Sequence, residues 1–271
     1  MPSLSLRTSC LALLLILTCT LASYLYADAW GAPWLGDVSL NLGTEIIGIF
    51  LTIGLIDAVI RGRDERERKR VRNLAIRSMR PALMDHLRLL QGMYKAAAPA
   101  TIRRTSADVR ELFDEEFFGQ LRYLDFAAQA PVLPTQQWTW FDYLAHHVRQ
   151  FRAGMVAATD RYATFLDGET LERIETLMST SFLAFLEQAS AIPAVDRKEG
   201  WKRSYALFSG TGMTSIVKDH ADALLSVIDS CNGVLPSGDS VAVDIGHWRN
   251  DIAPVYGSAR SEIAGSSTPL H

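Results

Sequence analysis

From residue 8 to residue 27 the chain runs for twenty positions without a charged side chain. A helix of that length rises about 30 Å, the thickness of a bilayer's hydrocarbon core. A second such run covers residues 38–60, apolar except for Ser39, Asn41, Thr44, Glu45, Thr52 and Asp57. Between the two, residues 28–37 contain Trp30, Gly31, Pro33, Trp34 and Gly36 but no Lys or Arg. That composition predicts a short turn with aromatic anchors at a membrane interface. Beyond residue 60 the pattern changes. Val71, Leu74, Met79, Leu83, Leu87, Leu90 and Met93 recur at helical spacing, which predicts one amphipathic helix over 61–98, bent near Pro81.

The first run also fits a cleaved signal peptide, with Arg7 as a minimal basic start, residues 11–17 as apolar centre and a small-x-small site at 27–29. Its length exceeds the usual apolar centre of about 7–15 residues and favours a span. Lipid attachment at Cys19 is disfavoured, because Thr18 stands where a small Gly, Ala or Ser is expected.

Further along, residues 108–118 and 121–130 alternate apolar and acidic blocks before a break at 131–134. A helix is expected over 138–166, capped by Thr135 or Thr139, with Trp140, Phe141, Leu144, Val148, Phe151, Met155 and Tyr162 on its apolar face. Asp167 and Gly168 are expected to end it, and a further helix to cover 169–190. Pro193 and Gly200 mark a loop; residues 215–231 predict the last helix, and 240–245 a loop or weak strand. From residue 254 the chain is rich in Ser, Gly, Ala and Pro and is expected to be disordered. No internal repeat emerges. The expected fold is all-α: a transmembrane helical hairpin at 1–60, a basic and polyampholytic stalk helix at 61–98, a cytoplasmic α-helical bundle at 99–253 and a tail at 254–271.

Charge sharpens this division. The formal net charge of −3 is the balance of an acidic first sixty residues, a strongly basic 61–80 and an acidic remainder. The basic cluster of Arg61, Arg63, Arg66, Arg68, Lys69, Arg70 and Arg72 directly follows the second apolar run. Lys and Arg at a span's end mark the cytoplasmic side, so the N-terminus and the C-terminal domain are expected in the cytoplasm, with the hairpin in the inner membrane. The same side chains suit anionic headgroups, each contributing about 1 kcal/mol near the surface. Nucleic-acid binding is not expected, since Asp64, Glu65 and Glu67 interrupt the cluster. Two of the three Cys lie inside the first apolar run, which excludes a disulfide-stapled secreted domain, and Cys231 is expected to be reduced.

The run Asn41-Leu42-Gly43-Thr44-Glu45-Ile46-Ile47-Gly48, followed by Thr52, Ile56-Asp57 and an Arg/Glu-rich stretch, resembles the second membrane helix of a group of uncharacterised bacterial proteins. Those proteins carry two N-terminal spans and a helical cytoplasmic region. The likeness covers residues 40–72; elsewhere it is general, resting on Tyr162-x-x-Phe165-Leu166-Asp167 before an amphipathic helix. It implies membrane topology and a bacterial origin, and no activity.

Candidate chemistry is sparse. Glu45 stands one or two turns inside the second span, where a carboxylate needs a partner, a proton or protein around it. Asp57 is placed to pair with Arg61 at i,i+4, as Glu65 is with Lys69. Thr44, Gly48 and Thr52 form a small-residue face that admits a neighbouring helix. Asp142 and His146 share a helix face beside His147, and Asp219-His220 and Asp244-x-x-His247 are further pairs, but no Glu-x-x-His occurs. The stretch 209–212 lacks the Lys and the strand of a phosphate loop, and there is no G-x-S-x-G and no H-E-x-x-H. No cofactor is expected. The expected partners are a bilayer with anionic headgroups and either another protein or a second copy. That describes a non-enzymatic interaction module, with two alternatives: an oligomeric pore or ion-coupled component using Glu45, and a membrane-bound metal-dependent hydrolase using the His/Asp pairs.

Overall fold

The structure, a computed structural model, describes residues 4–26, 33–131 and 137–255. All of its regular elements are helices. Among the described residues there is no strand, and the one β-bridge, between Gln129 and Thr139, stands alone. The chain divides into two compact units, Met1–Lys69 and Arg70–His271.

The first unit holds α1, Leu4–Tyr26, and the beginning of α2, Pro33–Ala97. Thr20, Ser39 and Ile46 are buried, and a Cβ built on Gly43 would meet Thr20 Oγ1 at 4.0 Å. Small and hydroxyl side chains thus bring α1 and α2 together, as close-packed membrane helices do. Many of the other described apolar side chains stay uncovered: Leu21, Leu25, Leu40, Ile47, Leu51 and Leu55 are all exposed. From Gly36 onward α2 is long and apolar enough to cross a membrane, with a mean hydropathy of 1.9 over its most apolar window. The described apolar part of α1, Leu14–Tyr26, is shorter. Hydroxyls within these helices donate back to the preceding turn, as Thr20 does to the Leu17 carbonyl at 2.8 Å and Thr52 to the Gly48 carbonyl at 2.8 Å. No hydroxyl proton of these threonines is left without an acceptor in an apolar setting. The aromatic turn expected at 28–37 is corrected over its second half, since α2 already begins at Pro33; residues 28–32 and the cleavage site at 27–29 lie outside the described residues.

In the second unit α2 enters the core of the bundle. Ala75, Ile76, Met79, Leu83, Leu87, Leu90 and Met93 are buried, and residues 91–98 are buried without exception. Pro81 lies inside α2, with helix assigned on both sides. Two short helices follow, α3 at Val109–Leu112 and α4 at Glu115–Leu121. Each is capped by an aspartate: Asp108 accepts from the Arg110 N–H and Asp114 from the Phe117 N–H. Next, α5 spans Trp140–Tyr162 behind a capping box in which Thr139 and Asp142 satisfy each other's ends. The expected apolar face holds: Trp140, Phe141, Leu144, Val148, Phe151 and Met155 are buried.

Three local expectations are corrected. Asp167 and Gly168 do not end a helix; Asp167 accepts from the Thr170 N–H at 2.8 Å and opens α6, Gly168–Met178. The expected helix over 169–190 is two, because α6 stops at Met178 and α7 runs over Ser181–Ala189. There Ser179 Oγ donates to the Thr176 carbonyl at 3.0 Å and Thr180 Oγ1 to the Leu177 carbonyl at 2.9 Å, giving the backbone an alternative to the helical ladder. The expected loop at 193–200 is the short helix α8, Ile192–Glu199. Pro193 sits in its first turn, where a missing N–H does no harm, and Gly200 caps its end at φ +69°. Beyond it, α9 covers Met213–Asn232 and α10 Ile245–Arg249. The stretch before α10 forms no strand; Asn232 takes the place of one, its carboxamide pairing with both the N–H and the carbonyl of Val241 at 2.7 and 3.0 Å. The tail expected to be disordered lies, from residue 256, outside the described residues.

In the bundle α5 packs on α7, and α9 on both α6 and α7. At one crossing α5 presents Gly154 to Ala82 of α2, so near that an added Cβ would lie 3.1 Å from Ala82 Cβ. Gly154→Leu is therefore expected to lower stability by about 1–3 kcal/mol through overpacking. Gly154→Ala should be close to neutral, because the crowding is offset by about 1 kcal/mol of helix propensity. Thermal denaturation of the two variants in detergent tests the ordering.

Candidate functional site

The most unusual chemistry in the second unit lies where α2, α5, α7 and α9 approach one another. His86 occupies the buried stripe of α2 between Leu83 and Leu87. His220 occupies the buried face of α9, and both rings are almost wholly excluded from solvent. Their Nε2 atoms are 2.8 Å apart. The other nitrogen of His220, Nδ1, lies 2.8 Å from Thr180 Oγ1, whose own proton goes to the Leu177 carbonyl. Aromatic faces complete the enclosure, Phe151 stacking on His86 at 4.2 Å and Phe182 lying 4.6 Å from His220.

This network fixes the tautomers. Thr180 has given its proton to a carbonyl and so must accept from His220, placing that ring's proton on Nδ1. His220 Nε2 is then an acceptor, and His86 must donate from Nε2. The consequence is that His86 Nδ1 carries a lone pair, and it has no hydrogen-bond partner although it is buried. Beside it is a crevice of about 50 Å³ lined by Ala82, Asp85, His86, His147, Gln150 and Phe151. Burial, with a smaller contribution from His147, pushes the His86 imidazole down to about 3. Burial first and His86 second hold His220 well below its ordinary value. His147 is also lowered, by burial and by His146, against an opposing pull from Asp85. A neutral His220 is what the hydrogen-bond chain requires, because a doubly protonated His220 has no acceptor to offer His86.

Of the residues singled out from the sequence, His220 belongs to this pair and His147 lines its crevice, while the others are placed elsewhere. Asp142 is occupied as the capping partner of Thr139, accepting its hydroxyl at 2.8 Å. His146 lies against the Trp138 ring and His147 against Tyr143, so the three do not converge. Asp219 is exposed while its neighbour His220 is buried. Asp244 caps α10 and receives Arg88 at 2.8 Å. Among the described residues no group of three or more His, Cys, Asp or Glu is arranged to hold a metal ion. Burial pushes the Cys231 thiol up to about 12, which removes it as a nucleophile at neutral pH.

Along α2, Asp57 and Arg61 form the expected ion pair, whereas Glu65 and Lys69 form none. Arg63, Arg66, Arg68, Lys69 and Arg70 are exposed. Arg72 departs from the expected headgroup cluster: it is half-buried and pairs with Asp167 at the start of α6. Glu45, Gly48 and Thr52 are exposed and, at about 100° per residue, share the face of α2 turned away from Ser39, Gly43 and Ile46, while Thr44, also exposed, lies at the edge of a groove lined by Thr20 and Tyr24 of α1. Nothing lies within 4 Å of a Cβ added at Gly48. The contact with α1 therefore uses a different small-residue stripe from the one the sequence suggested.

Compared with known protein families, curated proteins and solved structures, the chain matches none.

Proposed function

We propose that this chain is a membrane-anchored, non-enzymatic interaction module. In this reading α1 and the first part of α2 form a two-span hairpin in a bacterial inner membrane, and the helical domain recruits a protein partner, or a second copy, on the cytoplasmic side. The observation that carries it is the order of surfaces along the single helix α2: an uncovered apolar stretch, then exposed basic side chains, then a fully buried core stretch. The basic residues support a helix passing through a headgroup layer rather than lying along it. At about 100° per residue, Arg63, Arg66 and Arg70 fall on one side of α2, and Arg61 and Arg68 on the opposite side. A helix resting on a surface needs its positive charge on one face.

The test combines topology with capture. A reporter active only in the periplasm, fused after residue 100, is expected to be silent. A photo-crosslinker placed at the exposed Trp201 in living cells is expected to give a discrete adduct. An active reporter overturns the orientation; absence of any adduct from Trp201 and from the similarly exposed Val195 and Phe165 overturns the recruiting role. A second reading, an ion-coupled assembly, is supported by Glu45 having no ion-pair or hydrogen-bond partner among the described residues of the first unit. It fails if Glu45→Gln leaves proton permeability unchanged.

A further inference from the structure

We propose that His86, His220 and Thr180 form a proton-operated latch between α2, α7 and α9, closed while both rings are neutral and released when both become doubly protonated, the first proton entering through the crevice beside His86. The argument begins with the directionality of the chain. Each hydrogen bond, from His86 to His220, from His220 to Thr180 and from Thr180 to the Leu177 carbonyl, uses the only proton its donor has. Nothing at the far end can pass a proton on, so the chain is a sink rather than a conduit. Its open end is the buried lone pair of His86 Nδ1, and a crevice of about 50 Å³ is large enough to bring a water to it.

A proton taken up there places a cation in the core. The titratable groups facing His86 are Asp85 on its own helix, His147 on α5 and His220 on α9. The link between α6 and α7 brings Thr180, and α7 brings Phe182, neither of which ionises near neutrality. Asp85 is exposed and paired with Arg88, and burial, followed by His147, disfavours a charge on His86. A second proton, on His220, would turn its Nε2 into a donor facing a donor and break the His86–His220 bond. Because Thr180 sits at the break between α6 and α7, loss of this chain removes the polar tie holding that break to α9.

The sign of the pH dependence follows. Both rings titrate below their ordinary value in the closed state, so an opened state binds protons that the closed state does not. The stability from neutral burial is complete above about pH 6.5 and is lost progressively as pH falls below it. With two histidines opening together, the open-to-closed ratio rises by about 100-fold between pH 7.5 and pH 5.5.

The experiment uses the full-length protein in detergent micelles. Hydrogen–deuterium exchange of peptides from α7 and α9, corrected for intrinsic rates, is expected to accelerate together as pH falls through this range. The double variant His86→Gln, His220→Gln keeps a polar pair but cannot titrate, and it should remove about a hundredfold of that rise. Should the variant not fold, imidazole nitrogen shifts of the wild-type protein decide: two rings must remain singly protonated at pH 6, one on Nδ1 and one on Nε2. Corrected exchange that does not change with pH, a double variant that opens as the wild type does, or His86 and His220 both doubly protonated at pH 6 would each overturn the latch.

Discussion

Lys95→Ala is expected to lower the thermal midpoint of the full-length protein by about 10 °C and to free the C-terminal segment for proteolysis beyond residue 243. Lys95 lies on the stretch of α2 that is buried throughout, and only 1% of its surface is exposed. Its ammonium donates to three backbone carbonyls, those of His247, Trp248 and Asn250, which are the unpaired acceptors at the end of α10. The cation thus caps a helix C-terminus from another element, where both its charge and its three protons are used. Burial, and then Arg103, lowers the Lys95 ammonium below its ordinary range, so the site tolerates the charge because the carbonyls solvate it. Truncation removes the donor and leaves buried acceptors, a change of about 3–5 kcal/mol. At about 2–4 °C per kcal/mol for a domain of this size, that gives the stated shift. Arg103 reinforces the same segment through the Ile252 carbonyl at 2.7 Å, and the Val255 N–H donates to the Ala96 carbonyl at 2.8 Å. The loss should therefore loosen the segment without detaching it. Lys95→Met separates packing from hydrogen bonding: it fills the space but donates nothing, and a midpoint equal to wild type would show that the carbonyls do not depend on Lys95.

Neither Lys95 nor the histidine chain was legible in the sequence, and the reason is physical. Helical periodicity reports neighbours three and four residues away, so it correctly marks Leu83, Leu87 and Leu90 on α2 and Trp140 to Met155 on α5 as core. Leu74, counted among the same apolar positions, is half exposed, because at about 100° per residue it lies opposite Leu83, on the exposed face with Ser78, Pro81 and Asp85. The polar ties are of another kind. His86 and His220 are 134 residues apart in the chain, and Lys95 and Asn250 155 apart. A local window shows His86 only as a polar interruption of an apolar stripe, and Lys95 as an ordinary cation on a helix. Two signals were nevertheless present. The run Ser179-Thr180-Ser181 inside a supposed helix offers three hydroxyls that compete for the backbone, which is where α6 and α7 separate. Pro193 followed by Gly200 at seven residues is also the start and stop of one short helix, although the same pair reads as loop when its spacing is ignored.

Placing arginine at both Ile47 and Leu51 is expected to abolish insertion of the second span while leaving the helical domain folded. Both side chains are exposed on the apolar stretch of α2, near its middle by residue count, and arginine at a span's centre disfavours insertion by about 2.5–3.5 kcal/mol each. Together the two substitutions shift the insertion equilibrium by a factor of at least about 10³, enough to empty the inserted state. Two readouts follow, because α1 alone can still hold the chain. Either the protein leaves the membrane fraction on alkaline extraction, or it stays and the periplasmic reporter after residue 100 becomes active, because under the proposed topology one span would then separate the N-terminus from the domain. Leu74→Arg is the control: that side chain is just as exposed but lies beyond the basic stretch, so both readouts should match wild type. A double variant that remains membrane-bound with a silent reporter would mean that the apolar stretch of α2 does not span the bilayer, and the basic side chains of 61–70 would then need an explanation other than headgroups.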